Sequence, residues 1–200
     1  QLDGRVTLTL PTGVDEREAM AFAREKESWI RNHLERREED VPVALGSEIP
    51  VQGVTHRVVQ GQGRRVVMEG GVIMVPGPVE RIGARLKGHF KQMARVRLVG
   101  ASDEYATRLG KPYERISIRD TRSRWGSCSS NGTLMYSWRL IMAPDVVLDY
   151  VAAHEVAHLA EMNHSPAYWA GVERIFGDYK PARRWLKSDG NMLHRFKFGD

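Results

Sequence analysis

Apolar positions change their spacing several times along the chain, and each change marks a predicted element. Residues 5–10, Arg-Val-Thr-Leu-Thr-Leu, alternate and stop at Pro11, as a strand would. From Asp15 to about Glu39, Ala19, Phe22, Ala23, Trp29, Ile30 and Leu34 keep roughly helical spacing while Arg, Lys and Glu fill the other face, including His33 as a solvated residue. Between Val43 and Pro76 the composition turns to Val, Ile and Gly. Val54 to Gln60 and Arg64 to Glu69 flank Gly61-Gln62-Gly63, and Gly70-Gly71 leads into Val72 to Val75, which predicts a small antiparallel meander. His56 in the first of these strands reads as structural. The Gly61-Gln62-Gly63 turn lacks the Gly-Lys-Ser/Thr and following helix of a phosphate loop.

Val79 to Leu109 predicts a second long helix, with Ile82, Leu86, Phe90, Met93, Ala94 and Leu98 as its apolar stripe. Glu114 to Asp120 and Leu134 to Met142 read as strands around the turn-rich Ser127 to Thr133, where Asn131-Gly132 is a hairpin signal. Pro144 opens another helix, with Asp145 favourably placed in its first turn. A helix from Pro166 to about Phe176 turns Tyr168, Trp169, Val172 and Phe176 inward and ends at Gly177; a short last helix runs from Pro181 through Trp185 and Leu186. The order predicts an α+β fold, a small antiparallel sheet packed on helices. It divides into a lobe of strand, helix, meander and helix over 1–110 and a core over 111–200, or forms one continuous domain over 1–200.

The chemistry concentrates in residues 154–166, His-Glu-Val-Ala-His-Leu-Ala-Glu-Met-Asn-His-Ser-Pro. His154, Glu155 and His158 spell H-E-x-x-H. Residues four apart lie about 40° apart round a helix, so both imidazoles leave one face and pre-set a divalent metal site, usually filled by zinc. On an unbroken helix His164 would point about 120° away from His158. The helix is therefore expected to end between them, with Asn163 taking the left-handed conformation and Ser165-Pro166 serving as N-cap and first position of the next helix. His164 at that corner would complete a three-histidine site whose fourth tetrahedral position is left for water. Glu155, beside a ligand, could act on that water.

Composition narrows the setting. The chain is 42% hydrophobic, enough for a core, and its 30 Lys+Arg against 25 Asp+Glu give a formal charge of +5. Arg81, Arg85, Lys87, Lys91, Arg95 and Arg97 make the second long helix a candidate nucleic-acid surface, although a solvated face is the commoner reading, and His89 is read the same way. The single cysteine, Cys128, excludes an internal disulfide and predicts a reducing, cytoplasmic setting; it reads as a small buried side chain rather than a nucleophile. No apolar run reaches membrane-spanning length, since Pro144, Asp145 and Asp149 interrupt the most apolar stretch, 140–153. No signal peptide is expected.

Ser123-Arg124-Trp125-Gly126-Ser127-Cys128, followed by Ser137-Trp138-Arg139-Leu140, Ala143-Pro144, Asp149-Tyr150-Val151, His154 to Leu159 and Asn163-His164-Ser165, closely resembles the YgjP-like metallopeptidase domain family, a relative of the SprT-like zinc proteases. The resemblance is dense from about residue 115 to 186. Ser137 stands where the family pattern would have Asn, a mild departure. The resemblance implies a zincin-like fold, zinc (Zn2+) held by His154, His158 and His164, Glu155 as general base, and a protein or peptide substrate.

In that mechanism zinc activates a water, Glu155 takes its proton during attack on a carbonyl, and the oxyanion needs a further donor. Arg122, Arg124, Tyr136, Tyr168 and His194 are the candidates for that donor, with His194 otherwise a surface residue of the tail. An edge strand near the metal helix could take an extended peptide by strand addition. Two rival readings stand beside the peptidase. One is a metal-dependent nucleoside triphosphate pyrophosphohydrolase, an activity ascribed to members of the family. The other is a DNA- or protein-binding module with a structural zinc, disfavoured by an intact Glu155. An all-histidine site is poor for the magnesium that phosphoryl chemistry usually uses.

Overall fold

Asp15 caps the first helix of the computed structural model: its Oδ1 accepts the Arg17 backbone N–H at 2.9 Å, one of the donors that a helix start leaves unpaired. The structure describes residues 8, 10, 13, 15–28, 31 and 39–199, which belong to two compact units, Gln1–Glu39 and Asp40–Asp200. In the first unit, α1 spans Glu16–Glu25, with Ala19 buried and Phe22 exposed. The strand predicted over 5–10 falls mostly outside the described residues, as do Trp29, Ile30, His33 and Leu34.

The second unit holds everything that builds the candidate site. It includes the long helix α2 (Ile82–Leu109). Strands β1 (Val41–Pro42), β2 (Glu48–Val51), β3 (Val54–Gly61), β4 (Val67–Glu69) and β5 (Val72–Pro76) come first. Four of them form a sheet in the order β2-β3-β5-β4, with β3 and β5 parallel.

This corrects the predicted meander. Gly70 and Gly71 do make a two-residue turn, both at positive φ as a type I′ hairpin requires. But β5 enters between β3 and β4. It carries Ile73 and Val75, both fully buried, whereas β4 is largely exposed and takes the edge. Gly61 is needed for this contact and not for a turn. A Cβ there would lie 2.8 Å from the Met74 carbonyl carbon.

A 3-10 turn, Val79–Arg81, leads into α2, which buries Ile82, Leu86, Phe90, Ala94, Leu98 and Ala101 and stops at Gly110 in the left-handed conformation. Fully burying a side chain such as Leu86 or Phe90 contributes roughly 1.5–3 kcal/mol, so this stripe is a main support of the unit. Arg81, Arg85, Lys91 and Arg95 stay exposed on its outer face, while His89 is half-buried.

A three-stranded sheet follows: β6 (Arg115–Arg119), β7 (Gly126–Cys128) and β8 (Thr133–Ser137), in the order β6-β8-β7, with β6 parallel and β7 antiparallel to β8. The Asn131-Gly132 turn joins β7 to β8, with Gly132 at φ 78. The strand expected over 134–142 ends at Ser137. Trp138 to Met142 are all buried, so no alternating face exists there, and the segment tightens into a 3-10 turn that Ser137 caps. Helices α3 (Asp145–Ala157), α4 (Pro166–Phe176) and α5 (Lys180–Ser188) complete the α+β fold, and β9 (Phe196–Lys197) runs parallel to β1.

The tail is a strap. Phe196 and Phe198 are buried, and the Phe198 carbonyl lies where Gly83 on α2 has no side chain; a Cβ there would be 2.5 Å from it. Arg139 is the clasp. Its guanidinium donates to the Leu193 and Phe196 carbonyls at 2.9 and 3.1 Å and forms an ion pair with Asp120 at 2.7 Å. Burial acts to raise the Asp120 pKa, but the Arg139 hydrogen bonds and charge outweigh it and hold the carboxyl below its ordinary value. No helix among the described residues is long and apolar enough to cross a membrane.

Candidate metal centre

Helix α3 is buried almost all round, and the small Ala152 and Ala153 are fully covered. His154 and Glu155 lie in its last turn, and His158 is its C-cap. The helix therefore ends earlier than expected. Residues 159–161 leave it through tight turns, Leu159 N–H to Val156 O and Ala160 N–H to Ala157 O. Asn163 does not take the left-handed conformation; among the described residues only Gln52 and glycines have positive φ. The corner is set instead by the His158 ring, whose Nδ1 lies 3.0 Å from the Glu161 carbonyl. Ser165 and Pro166 behave as predicted: Ser165 Oγ accepts the Tyr168 N–H at 3.2 Å, and Pro166 opens α4.

The corner brings His164 back. Its Nε2 lies 3.2 Å from His154 Nε2, and one nitrogen from each of His154, His158 and His164 can be chosen so that all lie within 4.8 Å of one another. The carbonyl bond at His158 Nδ1 requires an N–H there, so its Nε2 is left bare. His154 Nδ1 has the Tyr150 hydroxyl at 3.4 Å. Burial, with the neighbouring His158, His164 and Arg183, holds His154 down at about 3; burial and His164 lower His158 against the opposing pull of the Glu161 carbonyl. Both rings are thus neutral near pH 7, the form that ligates metals.

Tyr168 organises this corner, and sequence reasoning had placed it only as an inward-facing residue and an oxyanion candidate. Its O–H donates to the His154 carbonyl at 2.9 Å, tying α4 to the last turn of α3. Its ring stacks on His158 at 4.5 Å and meets His154 and His164 edge-on. Trp169 stacks on His164 at 5.5 Å. An aromatic two residues into a helix that follows a histidine corner was the available signal.

Glu155 points the other way, toward β7. It is 5% exposed, and burial pushes its carboxyl up to about 8, with Arg124 opposing. A Cβ on Gly126 would lie 2.6 Å from Glu155 Oε1, so the β7 backbone passes directly against this carboxylate. Cys128, two residues along β7, is half-buried; burial and Glu155 push its thiol up to about 11, which keeps it protonated and unreactive near neutral pH.

The other oxyanion candidates divide. Tyr136 is fully buried and hydrogen-bonded to Ser102 at 3.0 Å. His194, expected at the surface, is 6% exposed and lies against Trp125 with ring centroids 5.0 Å apart, because the strap folds back over the start of β7. Arg124 remains close enough to act on Glu155 by charge, and Arg122 acts in the same way on His194. His56 Nδ1 lies 2.8 Å from the Val54 carbonyl.

The family model described as YgjP-like, metallopeptidase domain matches residues 1–189. The chain belongs to this family. It is also similar to a solved structure, the metallopeptidase zymogen abylysin of Pyrococcus abyssi, at 21% identity and a TM-score of 0.42, over 50% of this chain and 97% of that one. No curated protein matches the chain. The strap that clasps Arg139 and covers Trp125 lies beyond the residues matched by the family model.

Proposed function

We propose that the chain is a zinc-dependent peptidase of zincin type, with His154, His158 and His164 as metal ligands and Glu155 as general base. The observation that carries this is the 3.2 Å between His154 Nε2 and His164 Nε2. Two nitrogens at zinc–imidazole distance from one tetrahedral ion stand about 3.4 Å apart, so the pair fits that ion closely. An all-imidazole donor set suits zinc over magnesium. When bound, zinc supplies Lewis acidity: it polarises a carbonyl and makes water nucleophilic near neutral pH.

The chain's own groups do the rest. Glu155, buried and walled by Gly126, takes a proton from water and passes it to the leaving amine; burial pushes its carboxyl up to about 8, and the charge of a bound zinc would favour the ionised form that this needs. Strand β7 has β8 as its one strand partner among the described residues, so its other edge can hydrogen-bond an extended peptide. Such pairing would hold the substrate backbone beside Glu155. Arg124 is the best-placed candidate for charge developing on the carbonyl oxygen.

The test is Glu155→Gln. The variant should keep its zinc and lose hydrolysis of peptides or unfolded protein by roughly 10²–10⁴-fold. Zinc retained together with full activity would remove Glu155 from its role.

A further inference from the structure

Arg183 is an exposed cation fixed at the rim of the histidine cluster. Its guanidinium carbon sits 4.5 Å from the centre of the Trp169 ring, a cation–π contact. Trp169 in turn stacks on His164 at 27° and on Tyr179 at 21°. Trp169 is thus held between His164 and Tyr179 and supports the guanidinium on its own ring. Tyr179 immediately precedes α5, which carries Arg183, and Trp169 belongs to α4, which follows His164 in the chain. The Arg183 backbone N–H bonds the Tyr179 carbonyl at 3.0 Å, but among the described residues its guanidinium has no hydrogen bond and no ion pair. An arginine held against one fixed aromatic ring, with its guanidinium N–H groups unspent, is pre-organised to take a carboxylate in a bidentate pair. Glu155 is not that partner, since it is buried against β7.

We propose that Arg183 is a specificity residue that binds a substrate carboxylate close to the scissile bond, so that the site prefers peptides carrying an acidic side chain or a free C-terminus there. This rests on the peptidase reading given above. Aspartate, glutamate and a terminal carboxylate share the chemistry, and the experiment separates them.

Zinc-loaded full-length protein is assayed on matched peptides, C-terminally amidated, that differ only by Glu, Gln or Lys at each position flanking the cleaved bond. A fourth peptide is neutral with a free C-terminus. At one position the wild type should cleave the Glu peptide with the highest kcat/KM, or the free-acid peptide should lead if the terminal carboxylate is the ligand. In Arg183→Ala that preference ratio should fall roughly tenfold or more. Arg183→Glu should turn the preference toward the Lys peptide, and Arg183→Lys should restore part of it. Equal loss on every peptide with an unchanged ratio would overturn the proposal. If the wild type cleaves no peptide, the peptidase reading fails, and Arg183 is judged by binding instead. Fluorescence anisotropy of the labelled Glu, Gln and free-acid peptides on the Glu155→Gln protein, with and without Arg183→Ala, should show the same carboxylate preference. Equal affinities for all peptides in both proteins would end the idea.

Discussion

Gly126 and Glu155 touch: the glycine's missing side chain is the space that the carboxylate occupies, with a hypothetical Cβ only 2.6 Å from both Cγ and Oε1. A strand backbone and the proposed general base are therefore packed as one unit. Gly126→Ala should push Glu155 from its place. We expect roughly a hundredfold loss of hydrolysis with zinc content retained, since a displacement of about 1 Å at a reacting group can cost that much. Stability should fall by about 1–3 kcal/mol from overpacking. Kinetics alongside metal analysis checks this; an active Gly126→Ala protein would mean that Glu155 has room the geometry denies it.

Tyr168 offers a graded test of the corner. Tyr168→Phe removes one hydrogen bond, to the His154 carbonyl, and should cost about 1 kcal/mol. Tyr168→Ala also removes the ring that supports three imidazoles and should cost about 3–5 kcal/mol and weaken zinc binding sharply. Urea unfolding and zinc titration of both variants would reveal this; zinc affinity unchanged in Tyr168→Ala would show that the corner holds itself.

His194 predicts an acid-sensitive strap. Burial, with Arg139 next in importance and Asp120 opposing, holds its pKa down at about 4 from an ordinary 6.5. The unfolded chain therefore takes up this proton first as pH falls. The stability tied to neutral His194 is fully present above pH 6.5 and is lost as pH drops toward 4, on the order of 2–3 kcal/mol over that window. Denaturation midpoints from pH 7.5 to 4.5 should fall more steeply for the wild type than for His194→Asn, and parallel slopes would argue against it.

Gly61→Ala tests the sheet order. In a meander Gly61 would serve a turn and tolerate a modest change. In the β2-β3-β5-β4 sheet its Cβ meets the Met74 and Val75 backbone at 2.8 and 2.9 Å, so the variant should lose about 1–3 kcal/mol or more. Thermal unfolding decides, and a neutral result would contradict the parallel pairing of β3 with β5.

The local signals in the sequence were the ones that could be read. His154 and His158 share a helix face because the helical period is fixed, and Ser165-Pro166 caps and starts α4 by local chemistry alone. Gly70-Gly71 and the Gly132 of Asn131-Gly132 announced their turns because positive φ favours glycine. What stayed hidden depends on distant partners. The parallel pairings of β3 with β5 and β6 with β8 join segments whose own patterns say nothing of neighbour order. Strand β7 is only Gly126–Cys128, too short to alternate visibly. Its glycine has meaning only once Glu155 lies against it. His194 read as a tail residue because nothing nearby in sequence reveals that the strap returns to Trp125.

Every role proposed for the site requires that three imidazoles of this chain share one ion. X-ray absorption at the zinc edge, on protein loaded with one equivalent of zinc, tests it directly. Three imidazole nitrogens and one oxygen should surround the ion at about 2.0–2.1 Å, reduced to two imidazoles in His164→Ala. A two-imidazole shell in the unaltered protein, or zinc that washes away from it, would rule out a shared three-histidine site.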